Sequence, residues 1–192
     1  MYLKKSLAVT VCAFTICSMA QAETIDFAGI SEIEGASFSS FSQSGFQVAN
    51  IGGTWKVSQS GGDPDAAIYV PGNSGIGTIS ITHGGTDFRL ERYDVKTAGG
   101  QSLIGIQAFS RGNLIFDSGI FYTAGLGLQT VDFGSFLPVA DLVKMQTGDD
   151  SFDATFVDNI HVATVPEPSA ASLYLMGLIF FGTLGISNRR KA

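Results

Sequence analysis

The sequence predicts an all-β fold, an antiparallel two-sheet sandwich framed by one apolar segment at each end. Three observations carry this. Between residues 23 and 164 no window repeats apolar residues at helical spacing. Short runs of Phe, Ile and Val recur there instead, separated by clusters of Gly, Ser, Asn and Asp. Several runs alternate strictly: over 77–82, Ile79 and Ile81 fall on one side and Ser80 and Thr82 on the other, as in a strand with one buried face.

The first element is a leader. Lys4 and Lys5 precede an apolar run over 7–17, and small residues end in Ala20-Gln21-Ala22. A positive start, a short apolar middle and an A-x-A site describe a secretory signal peptide over 1–22, cut by signal peptidase between Ala22 and Glu23 after Sec-type export. The run is shorter than the roughly 20 residues that span a bilayer. Eleven strand segments follow: 24–27, 46–49, 54–59, 66–70, 77–82, 87–96, 103–109, 114–121, 128–133, 142–146 and 155–162. This count is expected to exceed the true one by one or two. Gly61-Gly62-Asp63-Pro64, Pro71-Gly72-Asn73, His83-Gly84-Gly85 and Arg111-Gly112-Asn113 supply turn chemistry between them.

Residues 23–164 are one domain's worth of chain. Both cysteines, Cys12 and Cys17, lie in the leader, so the domain carries no disulfide, thiolate metal site or cysteine nucleophile. It holds six basic against sixteen acidic residues, a balance of −10. That excludes a nucleic-acid surface, whose phosphates need Lys and Arg. It also disfavours docking on anionic lipid.

The last element begins at Val165-Pro166-Glu167-Pro168-Ser169. Two prolines this close cannot sit inside a helix, so they mark an extended linker. An uncharged apolar stretch over 170–186 follows, at the lower edge of transmembrane length, then a basic tail over 187–192 with Arg189, Arg190 and Lys191. Basic residues beside a membrane segment favour the cytoplasmic side, which leaves the domain on the exported side, as the leader requires. Residues 165–192 resemble the PEP-CTERM sorting signal of Gram-negative bacteria. The resemblance implies recognition by an inner-membrane exosortase, then delivery to the cell surface or extracellular matrix. The family is mostly linked to exopolysaccharide and biofilm production.

A second resemblance concerns the domain. Thr24-Ile25-Asp26-Phe27 at its start, Asp87-Phe88-Arg89-Leu90 in its middle and Phe156-Val157-Asp158-Asn159-Ile160-His161-Val162 at its end are similar to jelly-roll domains of PEP-CTERM proteins and of carbohydrate-binding modules. The resemblance implies a structural calcium between first and last strands, with Asp26 and Asp158 as ligands. The alternative is that Asp158 bonds neighbouring backbone.

Catalytic signals are sparse. His83 reads as a turn residue and His161 as a strand residue. No G-x-S-x-G or H-E-x-x-H motif occurs. Asp63-Pro64-Asp65 and Asp149-Asp150-Ser151-Phe152-Asp153 read as solvated acidic loops. Trp55, the sole tryptophan, reads as core. These features favour a non-catalytic exported structural or binding protein, with extracellular polysaccharide as partner and no cofactor required. A secreted polysaccharide-active enzyme and a self-associating adhesin are the rival readings. The tail yields a direct test. Replacing Pro166, Glu167 and Pro168 together by Ala is expected to leave the chain uncut in the inner membrane of an exosortase-bearing cell, and normal processing would make the tail a plain anchor.

Overall fold

The computed structural model describes residues 21–63, 66–97, 101–123, 127–148 and 154–165. Outside the described residues lie the leader through residue 20, Pro64, Asp65, Asp149, Asp150 and Asp153. The segment expected to be a sorting motif, from Pro166 onward, the apolar stretch 170–186 and Arg189, Arg190 and Lys191 lie outside them too. The described residues form one compact unit around a single apolar core, the anatomy of an independently folding domain.

The described residues form β1 (Ala22–Ile25), β2 (Ser40–Gln43), β3 (Phe46–Gly52), β4 (Lys56–Ser58), β5 (Ala67–Val70) and β6 (Gly77–Thr82). They continue with β7 (Phe88–Thr97), β8 (Leu103–Ser110), β9 (Asn113–Tyr122), β10 (Gly127–Asp132), β11 (Leu142–Thr147) and β12 (Thr155–Thr164). One sheet has the order β10-β7-β12-β5-β4, with β1 also on β12; the other runs β2-β3-β6-β11-β8-β9. All strand pairings are antiparallel, as the sequence predicts.

Twelve strands stand where eleven were expected to be too many. The missed one, β2, reads Ser-Phe-Ser-Gln, with one apolar side chain in four. Phe41 alone reaches the core while Ser40 and Ser42 face water, so the strand exists by pairing with β3 rather than by its own pattern. The segment expected over 54–59 is shorter as β4, because Trp55 leaves the ladder. Its carbonyl accepts the Phe38 N–H at 2.8 Å and its ring enters the core at 1 % exposure.

Strict alternation fills that core. Ile79 and Ile81 of β6, Ile104 and Ile106 of β8, and Val143 and Met145 of β11 are buried. At the opposite side, β7 and β12 each break the alternation once. The inward residues of β7 step from Leu90 to Tyr93, and those of β12 from Val157 to Ile160. Each step is three residues, not two, which requires a bulge. The register shows it: Asp158 faces Asp94, the next pair is His161 with Arg92, and then Val162 with Leu90. Asn159 takes φ 45° to make the turn, a conformation asparagine tolerates better than most residues. One extra residue on each neighbour keeps both strands facing inward.

Close approach fixes one glycine. A Cβ on Gly77 would lie 2.5 Å from both Trp55 Nε1 and Val70 Cγ2. The indole is packed and cannot swing away, so Gly77→Ala is expected to cost about 1–3 kcal/mol. The measurement is denaturant unfolding followed by Trp55 fluorescence; an unchanged midpoint would mean that the indole has room to move.

Candidate functional site

The outward face of the β2–β9 sheet is built by alternation and aligned by register. Thr78, Ser80 and Thr82 of β6 point away from the core because Ile79 and Ile81 point into it. The same logic sends Leu142, Lys144 and Gln146 of β11 outward, and Gln107 and Phe109 of β8. Ladder pairing sets them in rows. Ala49, Ser80, Lys144, Gln107 and Asp117 cross five strands side by side. Gln47, Thr82, Leu142, Phe109 and Leu114 form the row on one side. Thr78, Gln146, Gly105 and Ile120 form the row on the other. At about 4.8 Å between strands, a five-strand row runs about 19 Å.

Two contacts organise the centre. Gln107 Nε2 donates to Asp117 Oδ2 at 2.9 Å, and Lys144 Nζ lies 4.6 Å from the centroid of the Phe109 ring. The Gln107 hydrogen bond, with the Gly119 N–H behind it, holds the Asp117 carboxyl below the usual carboxylate range. The rows therefore offer ammonium donors, amides and hydroxyls that both donate and accept, and one ionised acceptor, beside an aromatic ring. They suit a ligand dense in hydroxyl groups. Asp117 is the one carboxylate in these rows, whereas glycoside hydrolysis needs a pair.

The outward face of the other sheet is used differently. Its register sets Lys96, Phe156, Tyr69 and Lys56 in a row across β7, β12, β5 and β4. The Phe156 and Tyr69 rings stack at 5.1 Å, and Lys96 Nζ lies 5.9 Å from the Phe156 centroid. The β4–β5 loop packs on this row at Phe156: a Cβ on Gly61 would come within 2.4 Å of its ring. Phe156 braces the loop, and both rings remain partly exposed.

Asp158 fastens the same loop. It is 3 % exposed. Its Oδ2 accepts the Asp63 N–H at 2.8 Å and its Oδ1 the Asn159 N–H at 2.7 Å. Asn159 Nδ2 donates to the Asp63 carbonyl at 2.8 Å and to Asp94 Oδ2 at 3.0 Å. Burial pushes the Asp158 carboxyl up to about 6; the two backbone N–H groups pull against this, and the charges of Asp94 and Asp26 add to it. Asp158 thus bonds neighbouring backbone, the second of the two readings its sequence allowed. Asp26, just past β1, has its Oδ1 occupied by the Ala28 N–H and by Gln43 Nε2, both at 2.9 Å. A calcium ion takes six to eight oxygens. Asp26 and Asp158 supply two carboxylates already engaged by N–H donors, and among the described residues no group of three metal-ligating side chains gathers.

The other sequence-derived candidates scatter. Trp55 is core. His83 stacks on Phe46 at 4.2 Å. His161 Nδ1 pairs with Thr24 Oγ1 at 2.9 Å, and burial, then Arg92, lowers its pKa. Ala22 and Glu23 lie in β1, where Ala22 pairs with Ala163; cleavage between them would leave Glu23 to Ile25 on the ladder. The Val165 N–H bonds the Asp87 carbonyl at 3.3 Å at the end of the described residues. Lys144, Gln107, Asp117 and Phe109 were not among the candidates. Each is an ordinary outward residue of an alternating strand, and only the register brings them together.

No family model matches the chain, and no curated protein matches it. Among solved structures it is similar to the enzymatically active domain of tailspike protein 4 of bacteriophage CBA120, at TM-score 0.39 and 14 % identity, over 62 % of this chain and 19 % of that one. It is similar to a GH29 fucosidase of Ruminococcus gnavus, at TM-score 0.40 and 13 % identity, over 60 % and 26 %. It is also similar to CBM29-2, a family 29 carbohydrate-binding module, at TM-score 0.41 and 17 % identity, over 76 % and 93 %. The chain thus spans about a fifth of the tailspike domain and a quarter of the fucosidase. These scores are too low to carry an argument, and the functional reading rests on the residues above.

The raised Asp158 pKa gives a signed expectation. The fold favours the neutral carboxyl, so this group adds stability as pH falls through about 6 toward its ordinary value of 3.8. The gain is up to about 3 kcal/mol at about 1.4 kcal/mol per unit. Thermal melts of wild type and Asp158→Asn between neutral and mildly acid pH check it. Wild type should gain on the variant as pH drops, and parallel profiles would contradict it.

Proposed function

We propose that the chain is an exported, non-catalytic binding protein. Its sandwich, wrapped as a jelly roll, holds hydroxyl-rich polysaccharide on the outward face of the β2–β9 sheet. The tail at 165–192 then delivers it through an exosortase to the cell envelope or an exopolysaccharide matrix. The observation that carries the binding reading is the row Ser80, Lys144, Gln107 and Asp117, with Phe109 beside it. Sugar rings bind through many modest hydrogen bonds plus contact of C–H groups with an aromatic ring, and these rows supply both kinds of partner. The net charge of −10 fits a neutral glycan better than a polyanion. The binding reading needs no cofactor.

The topology of delivery follows from two independent charge patterns. Lys4 and Lys5 orient the leader, and Arg189, Arg190 and Lys191 hold the tail's end on the cytoplasmic side. The prolines at 166 and 168 keep the motif extended where a membrane enzyme could reach it.

The test is a panel of bacterial and plant polysaccharides against residues 21–165, with release of reducing ends measured in parallel. Binding without release is expected. A hydrogen bond to a charged group contributes about 1.5–3 kcal/mol, so Lys144→Ala should weaken binding about tenfold or more. Unchanged affinity in that variant would move the ligand off this face. Release of sugar by the wild type would establish the enzyme reading instead.

A further inference from the structure

Exposed apolar surface is concentrated on one edge of the sandwich. Among the described residues ten large apolar side chains are exposed, and five of them, Leu114, Ile115, Ile120, Phe121 and Tyr122, belong to β9. Phe136, 76 % exposed, extends this patch through its edge-on contact with Phe116 of β9, ring centroids 5.6 Å apart. β9 ends its sheet: it pairs with β8 on one side, and among the described residues no strand pairs with its other side. That free side offers a row of backbone N–H and C=O groups to a further strand. Native edges usually carry Lys or Pro against this. Here Asp117 is the one charge in ten residues, and there is no proline.

We propose that this edge joins two copies of the chain, β9 to β9, antiparallel about a two-fold axis. Two points select a second copy as the occupant. An antiparallel edge is its own complement under two-fold rotation, so one strand supplies both sides of the ladder. In addition, a domain of net charge −10 repels its copies over most of its surface, and the nearly uncharged β9 edge is where they meet at least cost. Register breaks against β8, opposite Ile106 and beside Ala108, bend the strand. The new ladder therefore forms on the arm beyond them, Ile120 to Tyr122. Pairing continues the sheet from one copy into the next and sets both polar faces on the same side, so a long glycan would meet two footholds. The interface itself does not depend on glycan binding.

Sedimentation of residues 21–165 across the micromolar range tests this, with wild type, Ile120→Lys and Ile33→Lys compared. Ile120 is 58 % exposed and Ile33, remote from β9 in sequence and outside any strand, is 78 % exposed, so neither lysine disturbs the core, which circular dichroism verifies. Wild type and Ile33→Lys should shift from monomer to dimer as concentration rises, and Ile120→Lys should lose the dimer. A wild type that stays monomeric overturns the proposal, even if the edge then proves to take polysaccharide or lipid. So does an Ile120→Lys variant that dimerises like wild type.

Discussion

The sandwich depends on the paired bulges that keep β7 and β12 in phase. β12 lies between β7 on one side and β5 and β1 on the other, so its alternation decides whether three neighbours present apolar side chains inward. A single extra residue would turn half the strand inside out. Asn159 supplies that extra residue on β12, and the step between Leu90 and Tyr93 supplies its counterpart on β7. Val157, Ile160, Val162, Leu90, Tyr93 and Val95 all remain buried as a result. The Asp158 carboxylate holds the bulge in shape by accepting the N–H of Asn159, and the same group pins the β4–β5 loop through Asp63. Core register and loop position thus share one buried carboxylate, whose pKa is raised first by burial and further by the charges of Asp94 and Asp26.

That fastening divides the labour between the two outward faces. The loop lies on Phe156, and the rings beneath it stack on each other and on Lys96. Part of their surface is taken up inside the domain, and Tyr69, Phe156 and Lys96 stay partly exposed. On the β2–β9 sheet Ser80, Lys144 and Gln107 are likewise partly exposed, and they bring hydroxyl, ammonium and amide groups in place of stacked rings. Its free β9 edge lies next to the same rows through Asp117. A face dense in hydroxyl and amide groups and an apolar edge therefore adjoin on one sheet, with Leu114 and Ile120 on their border. One is suited to a polyhydroxylated chain and the other to a copy of the protein.

Much of this was legible before any coordinates. The alternation of Ile79 and Ile81 with Ser80 and Thr82 located β6 to the residue, and the burial of Trp55, between Thr54 and Lys56, followed from the general tendency of a large aromatic to enter the core. β2 was illegible because Phe41 is its single apolar residue. The bulges left a trace, since Val157 and Ile160, like Leu90 and Tyr93, sit three apart in otherwise alternating strands. The binding face left none. Lys144 and Gln107 stand 37 residues apart and become neighbours only through the β8–β11 register, which no local pattern encodes. The roles of Asp26 and Asp158 were half legible: their position at the ends of the domain was plain, but whether their oxygens serve a metal or the backbone turns on the approach of Asp63 and Ala28.

The most direct measurement of the central claim is nuclear magnetic resonance mapping of residues 21–165 during titration with a soluble oligosaccharide of a polysaccharide that the protein retains. Shifts should cluster on the outward residues of β6, β8 and β11, namely Thr78, Ser80, Gln107, Lys144 and Gln146, and leave Tyr69, Phe156 and Lys96 unmoved. Shifts centred on the Tyr69–Phe156 row, with the β6–β11–β8 face silent, would contradict the account.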